Sequence, residues 1–335
     1  LDVCRYRQGD GPWSQPLPVV YVQRLLNEAR YRGPVTVQFT FHADRVPPVV
    51  QLVVEDAAQY QIAVNGQPVT YRGLPYYLDR SFHPIEVTEV VRLGRDTVEL
   101  RTEFQPLTIP RFPLASLFEV QTGTELEAVY LIGDFAVKGQ RSPHTPPSGC
   151  VRYLPRFSLH PEHQDTEGDL IADGYPFYAG RLLLSETVPL TEPAEGQRVL
   201  LELDSLNAAL VRVRLNGHAA GVLAWAPYEL DVTAFIHEGD NELELELVST
   251  LRNLLGPHHR PSGEPDSTWA TAFNYTPPSR ASHGEKNADT WSDDYLFVHF
   301  GPQRPVRLHY QELHLVPGQR KDRAGAQGHE DPHPA

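Results

Sequence analysis

The sequence predicts an all-β fold made of two tandem copies of one β-sandwich. Three observations lead there. Apolar residues alternate with polar ones in short runs, as in Val211, Val213, Leu215 and again in Leu243, Leu245, Leu247 between Glu242, Glu244 and Glu246; each run is a strand with one dry and one wet face. Asn-Gly pairs at Asn65-Gly66 and Asn216-Gly217 supply the left-handed residues of tight hairpins. The same order of strand, Asn-Gly, strand, Val-Thr, turn glycine and alternating strand occurs over Gln59–Phe104 and Leu210–Val248, with extra residues around Leu74-Pro75-Tyr76-Tyr77 in the first copy. A repeat this long, with long spacers, suggests a duplicated sandwich and not a solenoid.

In chain order, Leu1 to Tyr6 reads as a strand. Val19 to Arg30 reads as a short helix, with Leu25, Leu26 and Ala29 on one face and Gly33-Pro34 as its stop. Val35 to Phe41, Val49 to Val54, Tyr60 to Val64, Val98 to Phe104 and Leu126 to Val137 read as strands, and Pro106, Pro110 and Pro113 break the approach to the last. Residues 1–140 form the first sandwich, 141–149 a Pro- and Ser-bearing linker, and 150–316 the second sandwich, closed by Tyr295 to Phe300 and Val306 to Leu315. Residues 317–335 have no apolar pattern and read as a disordered tail. Residues 256–294 form the least strand-like stretch, yet hold Trp269, Phe273, Tyr275 and Trp291; a loop of that length with aromatics points to function.

The chain of 335 residues carries 29 basic and 43 acidic side chains, a formal charge of −14. That balance repels phosphate backbones and anionic membranes, so neither nucleic acid nor membrane is an expected partner. No apolar run reaches membrane-crossing length and the first residues lack a signal-peptide pattern, so the chain reads as soluble. It contains no methionine and begins within a strand, which reads as a piece of a longer protein. Cys4 and Cys150 make no disulfide framework and read as free thiols.

The second copy, with Asn216-Gly217, Trp225-Ala226-Pro227-Tyr228, Asp231-Val232-Thr233 and Gly239-Asp240-Asn241 before its alternating strand, resembles the galactose-binding-like β-sandwich, or jelly roll, of large bacterial glycoside hydrolases. It is similar to accessory domains of the family 2 β-galactosidase and β-glucuronidase types and of α-L-rhamnosidase-like enzymes. Tyr175-Pro176-Phe177-Tyr178-Ala179-Gly180 before the strand Arg181 to Val188 resembles the start of the same domain. The resemblance covers most of residues 1–316. It implies a non-catalytic accessory or carbohydrate-binding region, with the catalytic domain of the same polypeptide and carbohydrate as partners. Such sandwiches often hold a structural calcium, and Asp231, Asp240 and Asp294 are of the right oxygen-donor type. Turn roles account for Asp231 and Asp240, so neither metal nor cofactor is expected.

Glycoside hydrolysis needs two opposed carboxylates, and the barrel that supplies them in the similar enzymes has no counterpart here. Glu242, Glu244 and Glu246 lie on a solvated strand face. Nucleophile elbow, phosphate loop and metalloprotease motifs are absent, and no catalytic residue is recognised in this chain. His160-Pro161-Glu162-His163 and His258-His259 read as solvent-exposed loop histidines. Sugar recognition requires aromatic faces for pyranose C–H groups and planar polar groups for hydroxyls. The candidates for it are Trp225, Tyr228, Trp269, Tyr275, Trp291, Asp293 and Asp294, with Trp225 and Tyr228 read more simply as caps on the core. Trp269 and Trp291 serve a glycan or a docked catalytic domain. Asn274-Tyr275-Thr276 matches a glycosylation acceptor. Two other classes fit the sequence: a free-standing carbohydrate-binding lectin or adhesin, and an enzyme with its own site in the 256–294 loop.

Overall fold

A computed structural model of the chain describes residues 1–107, 122–162, 166, 168–263 and 291–312. The architecture is all-β. The chain runs through β1 (Val3–Gln8), β2 (Leu17–Pro18), α1 (Val19–Glu28), β3 (Gly33–Ala43), β4 (Val50–Glu55), β5 (Gln61–Val64), β6 (Gln67–Val69), β7 (Phe82–Glu86), β8 (Gly94–Phe104), β9 (Tyr130–Gly133) and β10 (Ala136–Arg141). It continues through β11 (Cys150–His160), β12 (Arg181–Leu190), β13 (Gln197–Glu202), β14 (Leu210–Leu215), β15 (His218–Leu223), β16 (Glu229–Asp231), β17 (Gly239–Val248), the single turn α2 (Arg252–Leu255), β18 (Tyr295–Val298) and β19 (Arg307–Glu312). Trp269, Tyr275, the Asn274 acceptor sequence and the 317–335 tail lie outside the described residues.

One pairing pattern occurs twice. β3-β8-β5-β6 are neighbours in one sheet, and β12-β17-β14-β15 follow the same order in another; β7-β4-β9 and β16-β13-β19 form matching three-stranded sheets. All of these pairings are antiparallel. Two buried apolar clusters result, one around Val37, Phe39, Leu52, Val98 and Leu100, the other around Val199, Leu201, Val213, Leu215, Leu245 and Leu247.

The duplication extends to side-chain hydrogen bonds. Asn65 and Asn216 both sit at φ 51°, each followed by a glycine at φ 76°, the left-handed geometry a two-residue hairpin requires. The Asn65 amide donates to Val90 O (2.8 Å) and Asp96 Oδ1 (2.5 Å), while Thr97 N donates back to its carbonyl (3.0 Å). The Asn216 amide donates to Phe235 O (2.8 Å) and Asn241 Oδ1 (2.7 Å), and Glu242 N donates back (2.9 Å). Thr88 and Thr233 hydroxyls each accept from the first or third residue of the facing strand, Val50 N and Val199 N, both at 2.8 Å. Each hairpin asparagine thus clamps its turn to the start of the long strand that follows.

Three sequence expectations are corrected. Leu126 to Val137 is not one strand: it splits into β9 and β10 at Gly133, where an added Cβ would lie 2.0 Å from Val49 O. There, Asp134 N donates to Val49 O (3.1 Å), so the backbone approaches closer than any side chain allows. β11, unassigned in the sequence, is 11 residues long and pairs with β10, β18 and, at Leu159–Ala43, with β3 in parallel; its Leu159 joins the first core and its Val151 and Tyr153 the second. Trp225 does not cap the core: it is 79% exposed, whereas Tyr228 packs against the second cluster. Cys4 and Cys150 are buried and form no disulfide, and no helix among the described residues is long and apolar enough to cross a membrane.

Candidate functional site

A cavity of about 1060 Å³ lies where the two halves meet. The elements that build it are far apart in sequence. Asp2 stands just ahead of β1, which brings Arg5; β3 presents Gln38, Thr40 and His42, which alternate with the core residues Val37, Phe39 and Ala43; Glu127 lies just ahead of β9 and Tyr130 at its start; β11 brings Phe157; and the segment after α2, with the start of β18, brings His258, His259, Trp291 and Tyr295.

One wall is a knot of polar groups. Asp2 Oδ2 lies 2.9 Å from His259 Nε2, and Tyr295 donates its hydroxyl to Asp2 Oδ1. His259 Nδ1 lies 2.8 Å from Ser292 O, so both ring nitrogens face oxygen atoms. The ring stacks on Trp291, centroids 4.0 Å apart at 14°. Burial acts to raise the Asp2 carboxyl, but hydrogen bonding and charge from His259 outweigh it and hold Asp2 well below the usual carboxylate range. Burial, reinforced by Asp2, pushes the Tyr295 phenol well up.

His258 is half-buried beside this knot, and the loss of solvation lowers it to about 4. Its Nε2 donates to Asn253 O (2.8 Å), and Leu296 N donates to His258 O (2.7 Å). Asn253 in turn bonds both ways with Val298, at 2.9 Å each. These bonds tie Asn253 and His258 to β18. The expectation that His258 and His259 are exposed loop histidines is therefore overturned: Gly256-Pro257 suggested a solvated loop, but the segment is tied down and His259 is only 6% exposed. His160 is the last residue of β11, not a loop residue, and its ring contacts Asp44, as does His42 (3.0 Å). His163 lies outside the described residues.

The opposite wall is different. Burial, then the nearby Glu125 and Glu55, push the Glu127 carboxyl up to about 7, offset only in part by the Ala128 amide. Burial raises the phenols of Tyr130 and Tyr77; Glu127 and Asp2 add to the effect on Tyr130, and Tyr178 to that on Tyr77. These groups therefore sit within electrostatic reach of one another around one space.

The sequence-predicted site residues are scattered. Trp291 lines the cavity. Asp293 is exposed, and Asp294 is 9% exposed with its Oδ2 accepting from Ser142 Oγ (2.7 Å) and facing His144 Nδ1 (3.2 Å). Burial opposes ionisation there, but those hydrogen bonds hold Asp294 below its usual range. Ser142, His144 and Asp294 are the residue types of a hydrolase triad in the wrong arrangement. The serine donates straight to the carboxylate, and one imidazole nitrogen faces both partners (Ser142 Oγ 3.1 Å), so no base is aimed at the hydroxyl. Trp225 and Tyr228 lie outside the cavity lining, and Tyr228 packs against the second core. Asp231 serves a turn, accepting from Thr233 N (3.1 Å) and Oγ1 (2.6 Å). Glu244 and Glu246 face outward but are paired with Arg214 (3.2 Å) and Arg212 (2.9 Å). Among the described residues, no group of three or more His, Cys, Asp or Glu side chains is placed to hold a metal ion.

Glu127, Tyr130, Asp2 and Tyr295 were not singled out from sequence, and His259 only as an exposed loop histidine. Their only local signals are a lone glutamate ahead of a strand and the His258-His259 pair.

Compared with known proteins, the chain matches no family model and no curated protein. It is similar to parts of several solved glycoside hydrolases. With a rhamnosidase from Novosphingobium it shares 16% identity over 83% of this chain and 23% of that one, TM-score 0.27. With the Streptomyces avermitilis α-L-rhamnosidase complexed with L-rhamnose it shares 14% over 65% and 22%, TM-score 0.27. With a glycosyl hydrolase family 2 member from Bacteroides cellulosilyticus it shares 12% over 74% and 31%, TM-score 0.27. The chain spans less than a third of the length of each of these structures.

Proposed function

We propose that the chain is a non-catalytic accessory region of a large glycoside hydrolase: two galactose-binding-like jelly-roll sandwiches in tandem, over about 1–140 and 150–316, that support a catalytic barrel on the same polypeptide and contact oligosaccharide. The observation that carries this reading is the doubled unit, in which strand order, asparagine clamp and threonine hydrogen bond all recur, combined with motifs that resemble those accessory domains. β11 supports a bracing role, because it contributes to both cores and joins them into one scaffold. The test is the complete reading frame around these residues. A strand–helix barrel with two opposed carboxylates is expected in it, and its absence would overturn the proposal.

A second reading, a free-standing lectin or adhesin, is favoured by the exposure of Trp225, a large aromatic side chain open to solvent. Glycan-array binding by the chain, lost in Trp225→Ala, would support it over the first.

A further inference from the structure

We propose that the cavity between the two halves binds a neutral, hydroxyl-rich ligand of mono- to trisaccharide size, held by the Glu127 carboxyl and the phenol groups of Tyr77, Tyr130 and Tyr175. All four residues line the cavity. None of the three phenol hydroxyls is hydrogen-bonded to another described residue, and Glu127 has no side-chain partner, although Tyr178 and Tyr295 in the same walls are satisfied by Arg181 O and Asp2. These half-buried polar tips open onto the cavity, where a ligand or water can meet them.

The ligand class follows from what would satisfy these tips. An aliphatic ligand would leave three phenols unpaired and the Glu127 carboxyl with the Ala128 amide alone. An anion would face Glu127, whose carboxyl already sits beside Glu125 and Glu55. The charged side chains of the lining, Arg5, Arg95 and Arg260 against Asp2 and Glu127, nearly balance, and no cluster of cations stands free for a phosphate. Hydroxyls both donate and accept, as phenols and a carboxyl require, and tyrosine rings offer flat faces to C–H groups. The volume lies just above the range of roughly 300–1,000 Å³ for small-molecule sites. This site shares only Trp291 with the residues expected from sequence. It rests on the reading of the chain as carbohydrate-active only for the choice of sugars to try.

The test is titration calorimetry of the full 335-residue chain with galactose, rhamnose, glucose and their short oligomers, and with glucuronate, at pH 8. Saturable binding of at least one neutral sugar is expected, with Kd on the order of 1 mM or tighter. Tyr130→Phe and Tyr77→Phe, which remove only a hydroxyl, and Glu127→Gln should each weaken it roughly 3- to 10-fold, the loss expected for one hydrogen bond. Trp225→Ala should leave it unchanged, and glucuronate should bind more weakly than the matching neutral sugar. Thermal unfolding of each variant confirms folding. The proposal is overturned by the absence of saturable binding of every neutral sugar, by parent-like affinity in all three cavity variants, by loss in Trp225→Ala alone, or by preference for glucuronate. A barrel-less reading frame would sink the accessory role without touching this site, and failed titrations would do the reverse.

Discussion

Asp96 and Asn241 occupy the same place in the two copies, and both are wholly buried. Each accepts through Oδ1 from the hairpin asparagine and from a backbone amide four residues earlier, Arg92 N at 2.9 Å and His237 N at 3.1 Å. The other end of each group differs. The Asn241 amide donates to His237 O (2.9 Å) and Gly239 O (2.8 Å), whereas Asp96 Oδ2 has no partner among the described residues. Asp96→Asn should therefore stabilise the chain. Two new hydrogen bonds contribute about 1 kcal/mol each and the unsatisfied oxygen is removed, a net gain of about 2 kcal/mol after allowing for imperfect geometry. Asn241→Asp should cost about 2–4 kcal/mol, since it strands two carbonyls and buries an acceptor facing them. Urea unfolding followed by circular dichroism measures both, with the midpoint shift converted through the shared slope. Destabilisation by Asp96→Asn, or a neutral Asn241→Asp, would refute the claim that the two clamps are one device with one chemical difference.

Further expectations concern the cavity and the surface. Glu127 holds its proton more tightly folded (about 7) than its ordinary 4.5, so its contribution falls as pH rises from about 4.5 to 7, by about 3 kcal/mol at most. His258, lowered from 6.5 to about 4, acts oppositely, its contribution falling as pH drops through that window. The parent therefore shows partial cancellation, and Glu127→Gln should gain stability relative to the parent at pH 8 but not at pH 4.5, read from urea midpoints. Tyr295→Phe should cost about 1–3 kcal/mol because it removes a charge-assisted hydrogen bond to Asp2; a cost under 0.5 kcal/mol would show the knot to be incidental. Trp225→Ala, at a side chain 79% exposed, should leave stability within about 0.5 kcal/mol, and a larger loss would contradict its placement on the surface.

Much of the scaffold was legible because it obeys local rules. Leu243, Leu245 and Leu247 alternate cleanly, and all three are buried; Asn65-Gly66 and Asn216-Gly217 adopt the left-handed pair that their residue types favour. α1 covers Val19–Glu28 with Val22 and Leu26 inward, close to the expected helix. β11 escaped because it packs against both cores: Pro155 and a register shift opposite Gly139/Arg141 interrupt its period, and no single face stays dry along its length. β13 escaped because its central residues Val199, Leu200 and Leu201 are all buried, a continuous apolar run that carries no alternation. The cavity had no local signature at all. Asp2, Glu127, His259 and Tyr295 meet only through long-range pairing, and the Gly256-Pro257 step masked how tightly His258 and His259 are held.

The proposed role is that of a region that scaffolds and holds carbohydrate without cleaving it. It is tested most directly by the turnover of a panel of aryl glycosides by the isolated 335-residue chain, at pH 5 to 8 and high enzyme concentration. No product above the buffer control is expected. Turnover that disappears in Glu127→Gln or Asp2→Asn would contradict the account, because the two cavity carboxyls, one shifted up and one down, would then be working as acid and base.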